Sequence, residues 1–125
     1  METIKNFFFD TYAFIEIIKE NEDYKGYNKG VGIVTTILNL IELHYALLRI
    51  VGKEEADKHF DRLLQFVIEI SGEVIKEANE FKLLNKKRKL SYVDCIGYIT
   101  ARKMNIKFLT GDNQFKGLDS VEFVK

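Results

Sequence analysis

Short apolar runs alternate along this chain with longer stretches in which apolar residues recur every three or four positions. The run at 6–9, containing Phe7-Phe8-Phe9, reads as a first strand. Residues 11–19 carry Tyr12, Phe14, Ile15 and Ile18 at helical spacing. The polar stretch 21–30, with two glycines, is a loop, and the β-branched, glycine-flanked 31–35 is a second strand. Apolar residues cover most of the circumference of 37–51, which predicts a helix buried between layers and ended by Gly52. In 54–64, Ala56, Phe60, Leu63 and Leu64 form one apolar stripe; 66–70 reads as a third strand closed by Ser71 and Gly72. Val74, Ala78, Phe81 and Leu84 mark a further helix that runs out into Lys86-Lys87-Arg88-Lys89. A helix over 91–104, a strand over 106–110 and a short strand over 121–124 complete the chain. Strands alternating with helices of this length favour parallel pairing through right-handed crossovers, hence a doubly wound α/β domain.

Composition narrows the picture without changing it. At 125 residues the expectation is a single domain over 1–125 with one well-buried core, and 46% hydrophobic residues argue against disorder. Lys+Arg and Asp+Glu are each 19, so net charge is zero. That balance argues against a protein that coats nucleic acid, whose affinity comes from phosphate neutralisation. It leaves room for an enzyme that holds its substrate at a local patch. Cys95 is the only cysteine, which excludes an intrachain disulfide and fits a reducing compartment. The start Met-Glu-Thr-Ile-Lys-Asn lacks the basic region and long apolar stretch of a signal peptide, and Asn39, Glu42, His44 and Arg49 interrupt the most apolar segment. A cytoplasmic protein without a membrane span is expected.

The candidate chemistry lies in four carboxylates. Asp10 follows the first strand, Glu42 sits early in an apolar helix, Asp94 near the start of another, and Asp112 after the strand ending in Thr110. Three have structural readings of their own. Asp10 can cap the helix that begins at Thr11, Asp94 stands three positions after Ser91 as in a capping box, and Asp112 suits a turn. Glu42 shares a helical stripe with Asn39, Ala46 and Arg49, so it faces either water or a polar cleft. Jointly, however, the four fall at strand ends or first helical turns. In a parallel sheet these meet in the crevice at the strands' carboxyl ends. Crowded carboxylates repel one another unless a cation joins them, and oxygen-only donors suit a hard dication such as magnesium or manganese. Metal-assisted hydrolysis of a phosphodiester is the chemistry these residue types favour.

The four segments resemble the motifs of PIN-domain ribonucleases, particularly the VapC toxins of prokaryotic toxin–antitoxin pairs. They are Phe7-Phe8-Phe9-Asp10-Thr11, Leu40-Ile41-Glu42-Leu43, Leu90-Ser91-Tyr92-Val93-Asp94 and Leu109-Thr110-Gly111-Asp112-Asn113-Gln114-Phe115. They occur in the family's order and span nearly the whole chain. The resemblance implies a three-layer α/β/α sandwich with a central parallel sheet of four to five strands. It implies cleavage of single-stranded RNA with Mg2+ or Mn2+, often by a homodimer, and in toxin members a small antitoxin protein that blocks the site. Asp10 and Asp94 are the expected direct ligands, with Glu42 and Asp112 completing the shell; Thr11, Asn39 and Thr110 are supporting polar neighbours. Gln114 is neutral where many relatives carry a second acid, leaving less charge for a second ion. The basic run Lys86, Lys87, Arg88 and Lys89 is a candidate grip on the RNA backbone, or a complement to a helix dipole. The alternatives are a catalytically degenerate PIN-like module that binds RNA or protein, and a phosphoacceptor signalling domain. The latter wants adjacent acids after its first strand, where Asp10 stands alone.

Overall fold

The computed structural model describes residues 4–125. Its centre is β1 (Lys5–Phe9), whose three phenylalanines alternate between the two faces of a sheet, as the two-residue period of a strand requires. Phe7 and Phe9 enter one core and Phe8 the other. β1 is paired on one side with β2 (Val31–Val34) and on the other with β3 (Lys107–Thr110), and β3 pairs with β4 (Val121–Phe123). All three pairings are parallel, giving the order β2-β1-β3-β4.

Five helices connect the strands: α1 (Thr11–Ile18), α2 (Ile37–Ile50), α3 (Lys53–Leu63), α4 (Gly72–Leu84) and α5 (Tyr92–Lys103). The first three cover one face, where Phe14, Leu40, Leu43, Leu47 and Leu63 pack with Phe7, Phe9 and Leu109. The last two cover the other, where Val74, Ala78, Ile96 and Ile99 pack with Phe8 and Phe108. The result is an α/β/α sandwich with a core on each side of the sheet. Each fully buried side chain of this size is worth about 1.5–3 kcal/mol, so the two cores together lock the register of β1.

Two expectations from periodicity need correction. Residues 66–70 form no strand: 64–66 make a 3-10 turn, and Val67 makes a single parallel bridge to Thr35 beyond the end of β2. The chain passes the edge of the sheet there and turns into α4, so among the described residues the sheet has four strands. Helix α2 is not enclosed between layers, because Ile37, Ile41, Tyr45 and Leu48 face outward along one stripe while Leu40, Leu43 and Leu47 face the core. Leu84, the last apolar position assigned to α4, also faces solvent. Periodicity locates a helix but cannot tell one covered apolar face from two.

Because strand order reverses between β2 and β3, the carboxyl end of β1 is the sheet's switch point. The crevice of an open α/β sheet forms there.

Candidate active site

Asp10 is the first residue beyond β1, and its backbone N–H donates to the Leu109 carbonyl, extending the pairing with β3 by one step. This holds its side chain at the switch point, where it is buried. Oδ1 accepts from the Thr11 backbone N–H at 2.9 Å, capping α1, and Oδ2 accepts from the Thr110 hydroxyl at 2.7 Å. The capping reading and the cleft reading of Asp10 are thus both true. Burial, first, and the nearby Asp94, second, push its carboxyl up to about 7 from an ordinary 3.8.

Glu42 reaches the same crevice from the second turn of α2. Its Oε1 accepts from the Thr11 hydroxyl at 2.9 Å. Its stripe is graded, with Asn39 fully buried at the crevice end and Arg49 exposed at the other. The glutamate therefore faces the cleft. Burial and the field of Asp94 raise its carboxyl above the usual range. Asp94 arrives from the first turn of α5, where a capping box fixes it: its Oδ2 accepts from the Ser91 N–H at 2.9 Å and its own N–H donates to the Ser91 hydroxyl at 3.0 Å. Burial raises its carboxyl, and Asp112 adds to the effect while Lys82 opposes it. Asp112 completes the edge beyond β3, accepting from the Gln114 N–H at 3.0 Å and donating its own N–H to Thr110 Oγ1 at 3.1 Å.

Two threonine hydroxyls knit these acids together, and each has its direction fixed by a second partner. Thr110 accepts from the Asp112 N–H and so donates to Asp10. Thr11 accepts from Asn39 Nδ2 at 3.2 Å and so donates to Glu42. Asn39 is held in turn by the Thr36 hydroxyl, which donates to its Oδ1 at 2.8 Å. Among the described residues six polar or charged side chains are buried, and five of them, Asp10, Thr35, Thr36, Asn39 and Thr110, gather at this one edge. An interior that is otherwise apolar concentrates its polarity here, and among the described residues no buried side-chain polar atom lacks a partner.

Asp10 therefore feels the charge of Asp94 and Glu42, Glu42 that of Asp94, and Asp94 that of Asp112. Among the described residues none of them makes an ion pair. Nor do any three Asp, Glu, His or Cys side chains close on a single point. The reason is visible in the hydrogen bonds: Asp94 is held by its own helix cap and Asp112 by its own turn. The donor set is nevertheless of one chemical kind. His44 is turned away to Asp57 at 2.8 Å, and burial pushes the Cys95 thiol up to about 11, so neither competes with the oxygens. A donor set of carboxylates alone, three of which, Asp10, Glu42 and Asp94, are raised in pKa, fits a hard dication.

The basic run divides. Lys86, Lys87 and Lys89 are exposed on a 3-10 turn between α4 and α5. Arg88 instead donates to the carbonyls of Gln114 and Lys116, tying that turn to the loop that carries Asp112. One nitrogen of its guanidinium, Nη1, makes both bonds and clamps the turn within the fold. Sequence reasoning passed over Thr36 and Lys82. The first reads as an ordinary helix cap, and nothing in the spacing of the second marks it as a neighbour of Asp94.

By sequence, no curated protein matches the chain. Solved structures share its architecture. VapC20 of Mycobacterium tuberculosis, a toxin that cleaves the sarcin–ricin loop, superposes with a TM-score of 0.76 at 22% identity, over 95% of this chain and 99% of that one. VapBC2 of Rickettsia felis, bound to a promoter DNA fragment, gives 0.71 at 19% identity over 96% and 99%. A toxin–antitoxin complex from Klebsiella pneumoniae gives 0.70 at 17% identity over 91% and 93%. At these identities the likeness is one of fold. The sequence pattern carries further: residues 7–121, from the first buried strand to the start of the last, match the PIN domain, and the chain belongs to that family.

Proposed function

We propose that this protein is a metal-dependent endoribonuclease that hydrolyses phosphodiester bonds of single-stranded RNA, acting as the toxin of a VapBC-type pair. The observation that carries the reading is Asp10: a buried carboxyl at the switch point of the sheet, coupled to Asp94 and Glu42, with no basic side chain paired to it. Burial of such a group is costly for folding alone, and a bound dication removes the cost. Asp10 and Asp94 would hold Mg2+ or Mn2+, with Glu42 and Asp112 completing the shell. When bound, such an ion supplies an acidified water and neutralises charge on the scissile phosphate.

The chain's own groups do the rest. Thr110 and the Thr11 backbone hold the two oxygens of Asp10. Thr11 engages Oε1 of Glu42, so Oε2 is the oxygen left to orient a water and accept its proton. The exposed lysines of the basic turn supply local positive charge on a neutral protein, favourable for the RNA backbone. Family membership and the VapC-like fold support a small antitoxin as the partner that covers the rim. The outward apolar stripe of α2 supports a homodimer; a single monomeric species in sedimentation would remove that part of the reading.

Asp10→Asn and Asp94→Asn test the site directly. Each should lower Mg2+- or Mn2+-dependent cleavage of single-stranded RNA at least about a hundredfold while leaving the circular dichroism spectrum unchanged. Cleavage at the native rate by either variant would remove these residues from the site.

A further inference from the structure

Between the end of α4 and the start of α5 the chain folds around a cleft of about 300 Å³, lined in part by Asn79, Lys82, Lys86, Lys89 and Tyr92. It is built by a sharp reversal. α4 ends at Leu84, a single 3-10 turn follows, and Lys89 takes a left-handed conformation (φ 56°) that sends the chain back into α5 at Tyr92. Lys82 spans the cleft. Its ammonium donates to the Leu90 carbonyl at 2.5 Å and lies 5.0 Å from the centre of the Tyr92 ring. The ring itself is 63% exposed. Tyr45 on α2 is likewise exposed beside a cation, Arg49, but Tyr92 also lines a cleft that three lysines share.

The charge is also unmatched. Among the described residues Lys19, Lys53, Lys58, Lys103 and Lys107 each have a carboxylate partner. Among those same residues Lys82, Lys86, Lys87 and Lys89 form no such pair, and neither do Lys5, Lys25, Lys29, Lys76, Lys116 and Lys125. What sets this stretch apart is that four such lysines lie within eight positions of one another. Arg88, pinned to the loop carrying Asp112, holds the basic turn against the acid rim, and the field of Lys82 reaches Asp94 itself. One wall of the cleft is thus aromatic, Lys82, Lys86 and Lys89 make it basic, and Lys82 is its link to Asp94.

We infer that this cleft is a nucleotide subsite for single-stranded RNA, in which an unpaired base stacks on Tyr92 and its phosphate lies at Lys86 and Lys89. Residues two apart on a helix project to different sides. Tyr92 and Asp94 lie in the same first turn of α5 and therefore place this nucleotide round that helix from the acid rim, at a neighbouring position on the strand rather than at the bond that is cut. Stacking needs a base free of its duplex partner, which selects single strands over helices, and it is tolerant of base identity. An acidic peptide would use the lysines but leave the ring without a role. The inference rests on the nuclease reading and adds to it the residues that hold the strand.

The test uses the Asp10→Asn chain, which should bind RNA without cutting it, and a short labelled oligouridylate followed by fluorescence anisotropy. Tyr92→Ala should weaken binding about tenfold and Tyr92→Phe should leave it unchanged. Lys86→Gln with Lys89→Gln should weaken it further. The double change should also make the slope of log Kd against log salt shallower by about 0.7 for each phosphate that is no longer neutralised. All three positions are exposed, so the variants keep the fold. Binding by the Asp10→Asn chain that none of these changes alters would overturn the subsite and leave the nuclease reading standing. Competition by a poly-glutamate peptide that persists undiminished in Tyr92→Ala would assign the cleft to an acidic protein and overturn it too. If the Asp10→Asn chain does not bind the oligomer the inference falls, and if the native chain also fails to cut RNA the nuclease reading falls with it.

Discussion

A carboxylate enclosed as Asp10 is has to keep either its proton or a cation. With its pKa moved from 3.8 to about 7, the folded protein retains a proton that the unfolded chain has already released over that interval. Stability conferred by the rest of the fold therefore drains away as pH rises from about 4 to about 7, and the loss is complete above that range. At about 1.4 kcal/mol for each tenfold change in proton affinity, the effect is on the order of a few kcal/mol. Burial and like charge push Glu42 and Asp94 the same way. Asp10→Asn removes the titration at the cost of one hydrogen bond, since an amide cannot accept from both Thr11 and Thr110. In chelator at pH 8 this variant should melt several degrees above the parent, and the gap should close towards pH 4. Thermal melts across that range decide it; a variant less stable than the parent at pH 8 would show that the buried charge is compensated by something else. At this scale the sequence was readable in part. Asp10, Glu42, Asp94 and Asp112 stand out because acids beside strand ends are conspicuous. The relay Thr36–Asn39–Thr11 does not, because hydroxyls and amides at helix starts look like caps whether or not a carboxylate waits beyond them.

Elements bring those residues together, and α5 does so by close approach. Gly97 lies one turn after Asp94, and a Cβ there would sit 2.8 Å from a ring carbon of Phe8 and 3.0 Å from one of Phe108. The absence of a side chain lets the helix settle onto the stacked Phe8–Phe108 pair, with the two rings 5.5 Å apart. Gly97→Ala improves helix propensity by up to about 1 kcal/mol, but the overlap forces rings or helix to move at a cost of about 1–3 kcal/mol. The expected outcome is a net loss of stability in denaturant unfolding, with a drop in RNA cleavage larger than that loss explains, because Asp94 rides on the displaced helix. Unchanged unfolding midpoints would mean that the sheet face yields freely. Element type was mostly legible because Phe7-Phe8-Phe9 and the helical stripes follow fixed periods. What failed was the environment of an apolar run. Residues 66–70 have strand composition but lie past the end of β2 with one bridge to join, and α2 has two apolar faces of which only one meets the core.

The molecule as a whole is neutral, yet it is locally polarised: four acids stand at the sheet's carboxyl edge, and the lysines of the turn that Arg88 ties to the Asp112 loop form no ion pair among the described residues. No described helix is long and apolar enough to cross a membrane, so the exposed apolar stripe of α2 is a surface feature, not a span. This polarisation makes the response to cations a property of folding as well as of catalysis. A dication that binds the folded rim and not the unfolded chain stabilises by mass action, about 1.4 kcal/mol at ten times its Kd. For a chain of this length that is about 3–6 °C in Tm. Protons compete for the same oxygens, so the gain from Mg2+ or Mn2+ should be large at pH 8 and small at pH 5. It should also shrink in Asp94→Asn, whose rim has lost a charge. Matched ionic strength in potassium chloride separates this from general screening, which acts at both pH values alike. A Tm indifferent to Mg2+ and Mn2+ at pH 8, in a protein that still cuts RNA, would mean that the carboxylates act as acids and bases in their own right. The assignment of the rim as a metal centre would then be withdrawn while the cleavage stood.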